Sequence, residues 1–190
     1  MPDRAHQFDG LGSDVAMIFV EPETTAGRSL VARFGGIDLS MIDDPAVLPE
    51  ARGLLQAFAG RATDDEILRR AAAIVARLAG GSPPAPATDR RIVAAVDWMR
   101  DRLDAPISLA EAAAVAHLSP SRFRHLFVAQ TGISFRAYLL WTRVNLAIAA
   151  GMAGVSWTGA AQQAGFADSA HLSRTCRRMF GIAPSALGRE

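Results

Sequence analysis

The sequence of 190 residues predicts a mainly α-helical protein with an all-α C-terminal domain. The N-terminal part is predicted to be an α+β remnant with one or two strands and about three helices. After residue 88 the apolar residues recur with helical spacing. A pattern of short helix, tight turn and longer helix occurs twice there, over residues 109–130 and 157–180, about 48 residues apart. Before residue 80, residues 15–20 are apolar and partly β-branched, which is typical of a buried strand.

A linker rich in glycine and proline divides the chain. Gly80 and Gly81 end a helix, and the three prolines that follow prevent a new one. We therefore predict an N-terminal segment over residues 1–80, a linker over 81–88 and a C-terminal domain over 89–190. Residues 1–89 hold eight arginines and thirteen acids, a net charge of −5, whereas the remainder holds twelve arginines and six acids, a net charge of +6. The basic domain is expected to face a polyanion.

Other features of the composition exclude several classes of protein. A single cysteine, Cys176, rules out an internal disulfide framework and favours a reducing compartment, so we expect a cytoplasmic protein. No stretch is long and apolar enough to predict a membrane span. The four histidines are scattered, and the sequence contains neither a phosphate-binding glycine loop nor a nucleophile elbow. We predict no enzyme activity, no metal and no cofactor.

The N-terminal helices are predicted from their boundaries. One spans residues 25–34, a second spans 49–59, and a third begins at a capping box formed by Thr63 and Glu66 and continues through Leu78. This segment has too few strands to close a barrel.

The C-terminal helices have clear starts and stops. Ser108, Ser119, Ser156 and Asp168 are N-cap residues, and Gly132 and Gly181 are stops. These residues and the apolar spacing predict six helices, over residues 90–103, 109–116, 120–131, 134–150, 156–164 and 169–180.

Each longer helix of the repeated pattern has a buried and an exposed face, as the second helix of a helix-turn-helix requires. The predicted inner residues are Phe123, Leu126, Phe127, Gln130, Leu172, Thr175, Cys176 and Met179. Arginine on the outer face suits bidentate contact with guanine, and serine or histidine suits a base or a phosphate. The second turn carries Gly165, which accepts positive φ easily, and the first carries His117 at the equivalent place.

Motifs over about residues 90–186 resemble the AraC/XylS family of bacterial transcription regulators. They are the run over 108–127, Gln130-Thr131-Gly132-Ile133-Ser134, Ala164-Gly165-Phe166, Ser173-Arg174 and Phe180-Gly181-Ile182-Ala183-Pro184. The resemblance implies a regulator that reads two successive major grooves of promoter DNA with helices 120–130 and 169–180. Three residues depart from the family pattern: Phe135, Cys176 and Leu187.

The resemblance also assigns DNA-facing residues by position. Base contacts are implied for Ser121, Arg124, His125, Ser169, Ala170, His171 and Arg174. Separately from the resemblance, we expect four other arginines to contact phosphates rather than bases: Arg122, Arg136, Arg177 and Arg178. The alternatives are a capping role for the serines, and histidine and arginine side chains that are merely solvated at the surface. Arg143 is expected to pair with an acid inside the fold.

The N-terminal half resembles only the end of that family's cupin-like regulatory domain, in residues 5–8 and 15–23. This implies a truncated regulator or a native start further upstream, and it leaves the small-molecule effector unassigned. RNA polymerase is an implied partner, and a homodimer stays open. The alternative function is a helical protein-interaction module that keeps the fold without binding DNA.

Overall fold

The computed structural model describes residues 15–34, 42, 44–80 and 87–187. These residues form α-helices and one short 3-10 helix (Pro184–Ala186). They divide into two compact units, one within residues 15–88 and the other over residues 89–187. The mainly α-helical prediction is confirmed for this part of the chain.

The N-terminal unit contains α1 (Thr25–Phe34), α2 (Val47–Ala59) and α3 (Asp64–Ala79), with α1 and α2 both packed against α3. Leu54 and Ile74 are its buried large hydrophobic residues. The predicted cap of α3 is present in one direction, since the Thr63 side chain accepts from the Glu66 N–H at 3.4 Å. The Glu66 carboxylate accepts instead from Arg70 at 2.7 Å.

The predicted strand over residues 15–20 is wrong. These residues have no regular secondary structure, and no strand occurs elsewhere in the described ranges. A strand is stable only when a neighbour pairs with its N–H and C=O groups, and no described segment does so. Val15 is 48% exposed, so its apolar character does not mark a buried position. The second candidate strand, over residues 5–8, lies outside the described residues.

The C-terminal unit consists of six helices whose bounds lie close to the predicted ones. They are α4 (Arg90–Arg100), α5 (Leu109–Val115), α6 (Pro120–Thr131), α7 (Phe135–Met152), α8 (Trp157–Gln163) and α9 (Ser169–Phe180). The repeat is confirmed in length and spacing: α5 and α8 have seven residues each, and α6 and α9 have twelve each.

Side-chain caps fix where the helices begin. Ser108 and Glu111 form a complete capping box at α5, and Ser119 precedes Pro120 at the start of α6. At α9 the Asp168 carboxylate accepts from the His171 N–H. These caps satisfy N–H groups that a helix leaves without a partner, so they set the first residues of α5, α6 and α9.

The long helix α7 belongs to two cores. Its first half contributes Phe135 and Tyr138 to a cluster with α4, α5 and α6. Its second half contributes Val144 and Ile148 to a cluster with α8 and α9. Trp141, between them, packs against both clusters. One continuous helix therefore carries both helix-turn-helix units.

The two cores are filled differently. Aromatic rings interlock in the first core, where Phe127 meets Phe135 and Tyr138 edge-on with ring centroids 5.4 Å apart. The second core has one buried aromatic ring, Phe166, among small and flexible side chains that include Ala160, Ala161, Ala164, Leu172 and Cys176.

The turns of both units need a left-handed backbone residue. His117 has φ +53° in the first turn, and Gly165 has φ +72° in the second. At the ends of α6 and α9, Gly132 and Gly181 have φ values of +75° and +77° and close these helices in the same way. The equivalence of His117 and Gly165, predicted from sequence, is therefore present in the backbone.

Candidate nucleic-acid interface

The helix α6 separates a buried face from a polar one. Phe123 and Phe127 are fully buried, and Gln130 accepts from the Asp89 N–H at 2.9 Å, which ties α6 to the start of α4. The predicted outer residues are all exposed: Ser121, Arg122, Arg124 and His125. The buried face thus anchors α6 in the domain, and the exposed face is accessible to a binding partner.

The helix α9 has the same organisation. Leu172 and Cys176 are fully buried, and Thr175 and Met179 are each 5% exposed. Its predicted outer residues are exposed except Ser169, which is half-buried: Ala170, His171, Arg174, Arg177 and Arg178. The His171 ring meets the Phe166 ring edge-on, with centroids 5.2 Å apart, and this contact orients the imidazole.

We call α6 and α9, the second helices of the two helix-turn-helix units, the recognition helices. Both contribute cationic side chains to one concavity of about 910 Å³, which we call the arginine concavity. Arg124 enters it from α6. His171, Arg174 and Arg178 enter it from α9, at positions i, i+3 and i+7 that share one helical face. Basic side chains of both helix-turn-helix units therefore line the same concavity.

The floor of the arginine concavity is a face of α7. Arg136 and Arg143 lie on it with Leu139 and Leu140 between them. Seven residues correspond to about two helical turns, so the two arginines lie on the same face of α7, about 10 Å apart along the helix axis. Both arginines lie outside the outer faces of α6 and α9. Arg136 and Arg143 are seven residues apart in the sequence, and this helical spacing could have predicted that they share one face of α7.

The charge of the arginine concavity is unbalanced. Its lining holds five arginines and one histidine and no aspartate or glutamate. The ion pairs that Glu66 and Asp89 form lie elsewhere in the described part of the chain. Because guanidinium groups form bidentate bonds with phosphates and need an anion to offset their mutual repulsion, this lining suits a polyanion.

Six predicted residues lie outside the arginine concavity: Ser121, Arg122, His125, Ser169, Ala170 and Arg177. They stay on the exposed faces or ends of α6 and α9. The capping alternative does not apply to the two serines, because Ser119 and Asp168 cap these helices.

The predicted pairing of Arg143 with an acid is wrong. Its Nε donates to the Leu103 carbonyl at 3.1 Å, and a terminal nitrogen donates to the Ala105 carbonyl at 2.6 Å. Burial lowers the pKa of this guanidinium below its ordinary value. Main-chain carbonyls accept the hydrogen bonds of the guanidinium group in place of an acid. Because these carbonyls lie 40 and 38 residues away in the sequence, no local spacing pattern indicates them.

Cys176 is fully buried in the second core, as the inner-face pattern predicted. Burial raises the pKa of its thiol to about 11, and the nearby Arg177 only partly offsets this. A thiol that stays protonated is a poor nucleophile and a poor metal ligand. In the described residues no group of three His, Cys, Asp or Glu side chains is placed to hold a metal ion. None of the helices described has the length and apolar composition needed to cross a bilayer.

Residues 112–190 match a family model described as a helix-turn-helix domain. Over 92 residues the chain is 35% identical to the "Probable transcriptional regulator LumQ" of Photobacterium leiognathi, a match that covers 47% of this chain and 36% of that protein. The chain thus spans about a third of the length of this curated relative. A crystal structure of the DNA-binding domain of AdpA, a global transcriptional factor, in complex with a target DNA is similar with a TM-score of 0.47 and 26% identity, covering 50% of this chain and 87% of that one.

Proposed function

We propose that the helix-turn-helix domain matched over residues 112–190 is of the AraC type, and that the protein is a sequence-specific regulator of transcription. It binds double-stranded promoter DNA and places α6 and α9 in two successive major grooves. The curated relative named above is itself described as a probable transcriptional regulator. The protein acts by binding and not by catalysis.

The observation that carries this proposal is the convergence of Arg124, Arg174 and Arg178 on the arginine concavity. Had the two recognition helices exposed their cations on opposite sides, one straight duplex could not meet both. Because they share one space that contains no acid, a single polyanion can contact both units at once.

The dimensions of the domain fit the repeat of B-DNA. The 18 residues of α7 span about 27 Å. The half-widths of the helices packed at its two ends add several ångströms, so the sum is comparable with the roughly 34 Å of one turn of duplex. The DNA backbone that crosses between the two grooves would then face the floor of the arginine concavity.

Within this proposal the predicted residues have different roles. Arg124 and Arg174, with Ser121, His125, Ser169, Ala170 and His171, face base edges, and Ala170 offers only a methyl group for contact with thymine. Arg122, Arg177 and Arg178 contact phosphates and hold the register.

The test is selection of bound duplexes from a random pool, followed by affinity measurements on the enriched sequence. We expect two half-sites whose centres lie about 10 base pairs apart. Arg124→Ala and Arg174→Ala should each cost about 1–3 kcal/mol of binding free energy and relax specificity at one position in different half-sites. Arg90→Ala, which removes a charge outside the arginine concavity, is the matched control and should leave specificity unchanged.

The dependence on salt separates this proposal from the alternative of a protein-interaction module. A domain that neutralises about six phosphates should bind with a log–log salt slope near −5. Absence of binding to any duplex at low salt would favour the interaction module. Equal loss on all sequences for Arg124→Ala and Arg174→Ala would assign both arginines to phosphates.

The AraC resemblance extends the proposal beyond the DNA-binding domain. We assign residues 1–80 to a regulatory segment, residues 81–88 to a linker and RNA polymerase to the partners, and we place the protein in the cytoplasm with the nucleoid. A homodimer would double the number of half-sites. Sedimentation with and without operator DNA measures this directly.

A further inference from the structure

Three segments of the C-terminal domain meet at one point. They are the loop at residues 103–105, which connects α4 to α5, Arg143 near the middle of α7, and Gly165 in the turn of the second unit. The loop belongs to the first helix-turn-helix unit and Gly165 to the second. Arg143 lies on the helix that joins them.

Arg143 holds the loop through main-chain atoms. Its planar guanidinium donates to two carbonyls two residues apart, at 3.1 Å and 2.6 Å. Two bonds from one rigid fork fix orientation as well as distance, which a single donor does not. Because the guanidinium is half-buried and its partners are neutral carbonyls, its role here is geometric and does not depend on an acid.

Gly165 rests on the same carbonyl. A Cβ atom at this position would lie 2.3 Å from the Leu103 oxygen and 3.0 Å from Arg143 Cζ. Three residues later Asp168 caps α9 and sets its first residue. The start of α9 is therefore held directly against the loop of the first helix-turn-helix unit. This contact adds to the connection that α7 makes between the two helix-turn-helix units.

We infer that Arg143 is a positioning residue that fixes the distance between the two recognition helices, and thereby the separation of half-sites that the protein accepts. This inference rests on the proposed function. One base pair corresponds to roughly 3.4 Å along the duplex, so a shift of that size at α9 moves its side chains to the neighbouring base pair. The bonds of Arg143 to residues 103 and 105 prevent such a shift.

The experiment uses the full chain and a set of duplexes in which the half-site separation found by random-pool selection is lengthened or shortened by one base pair. Arg143→Met removes the donors and keeps most of the side-chain volume. Arg136→Met is the matched control, because Arg136 lies on the same face of α7, lines the same concavity and has no hydrogen bond to the loop.

We expect wild-type protein to lose about tenfold in affinity or more when the separation changes by one base pair, because at least one base pair is then misread. Arg143→Met should reduce this discrimination to about threefold or less while still enriching both half-site sequences. Arg136→Met should bind all duplexes more weakly, keep the full discrimination and lower the salt slope by about one.

The outcomes distinguish this inference from the proposed function. If wild-type protein enriches no duplex, the proposed function fails. If wild-type protein enriches paired half-sites and Arg143→Met keeps the full discrimination, the positioning role is overturned. Equal broadening by both variants, or loss of the half-site sequences by a helical Arg143→Met protein, also overturns it. Should Arg143→Met not fold by circular dichroism, Arg143→Lys takes its place, since one ammonium replaces the fork, and is judged by the same criteria.

Discussion

Two glycines with nearly the same backbone conformation allow conformational strain to be separated from steric overlap. Gly132 has φ +75° and Gly165 has φ +72°, but a Cβ atom at Gly132 would have no neighbour within 4 Å. At Gly165 it would overlap the Leu103 carbonyl oxygen, which belongs to the backbone and cannot rotate away as a side chain would. The same change to alanine should therefore cost different amounts at the two sites.

The magnitudes follow from these two contributions. A left-handed residue with a Cβ costs about 1–2 kcal/mol, and alanine regains part of this by restricting the unfolded chain. We expect Gly132→Ala to lower the free energy of unfolding by about 1 kcal/mol. Overpacking adds about 1–3 kcal/mol, so Gly165→Ala should lose about 2–4 kcal/mol.

The assay is urea unfolding followed by tryptophan fluorescence. All three tryptophans, Trp98, Trp141 and Trp157, lie in the C-terminal unit, so the signal reports this unit without the N-terminal helices. The urea midpoint should shift with little change in the m-value. Equal losses at the two glycines, or a greater loss at Gly132, would refute the assignment of a close contact between Gly165 and the loop.

Two further predictions concern other residues of the same domain. His117→Gly should stabilise the domain by up to about 1 kcal/mol in the same assay, because His117 is exposed and its φ of +53° suits glycine; a destabilised variant would show that the imidazole contributes more than its backbone conformation costs. Cys176 should not react with a thiol reagent at pH 8 until urea unfolds the protein, because burial raises its pKa to about 11. The unfolded thiol ionises near pH 9 while the folded one stays protonated, so stability should fall as the pH rises from about 9 to 11. Cys176→Ala should show a smaller fall over that range, and an identical pH dependence would contradict the assigned pKa.

The parts of the fold that the sequence predicted are those set by local interactions. Ser119 with Pro120, and Asp168 three residues before His171, fix helix starts through contacts within one turn. The inner face of α6 followed from helical spacing alone, and Phe123 and Phe127 are buried as expected.

The parts that sequence reasoning missed depend on distant segments. Residues 15–20 have the composition of a strand, but a strand also needs a paired neighbour, which composition does not reveal. Arg143 was expected to meet an acid, whereas its partners are two carbonyls in a loop before α5. The grouping of Arg136 with Arg174 depends on how α9 packs beside α7, and no short motif encodes that packing.

The division of α7 between two cores bears on attempts to dissect the domain. A fragment that stops before Phe135 would lack the rings that close the aromatic cluster, and one that starts after Trp141 would expose the apolar faces of α8 and α9 along with half a helix. Although the two units resemble a tandem duplication, neither can be excised as an independent module. Engineers who wish to exchange one half-site preference for another should therefore graft exposed residues of α6 or α9 and leave the scaffold whole.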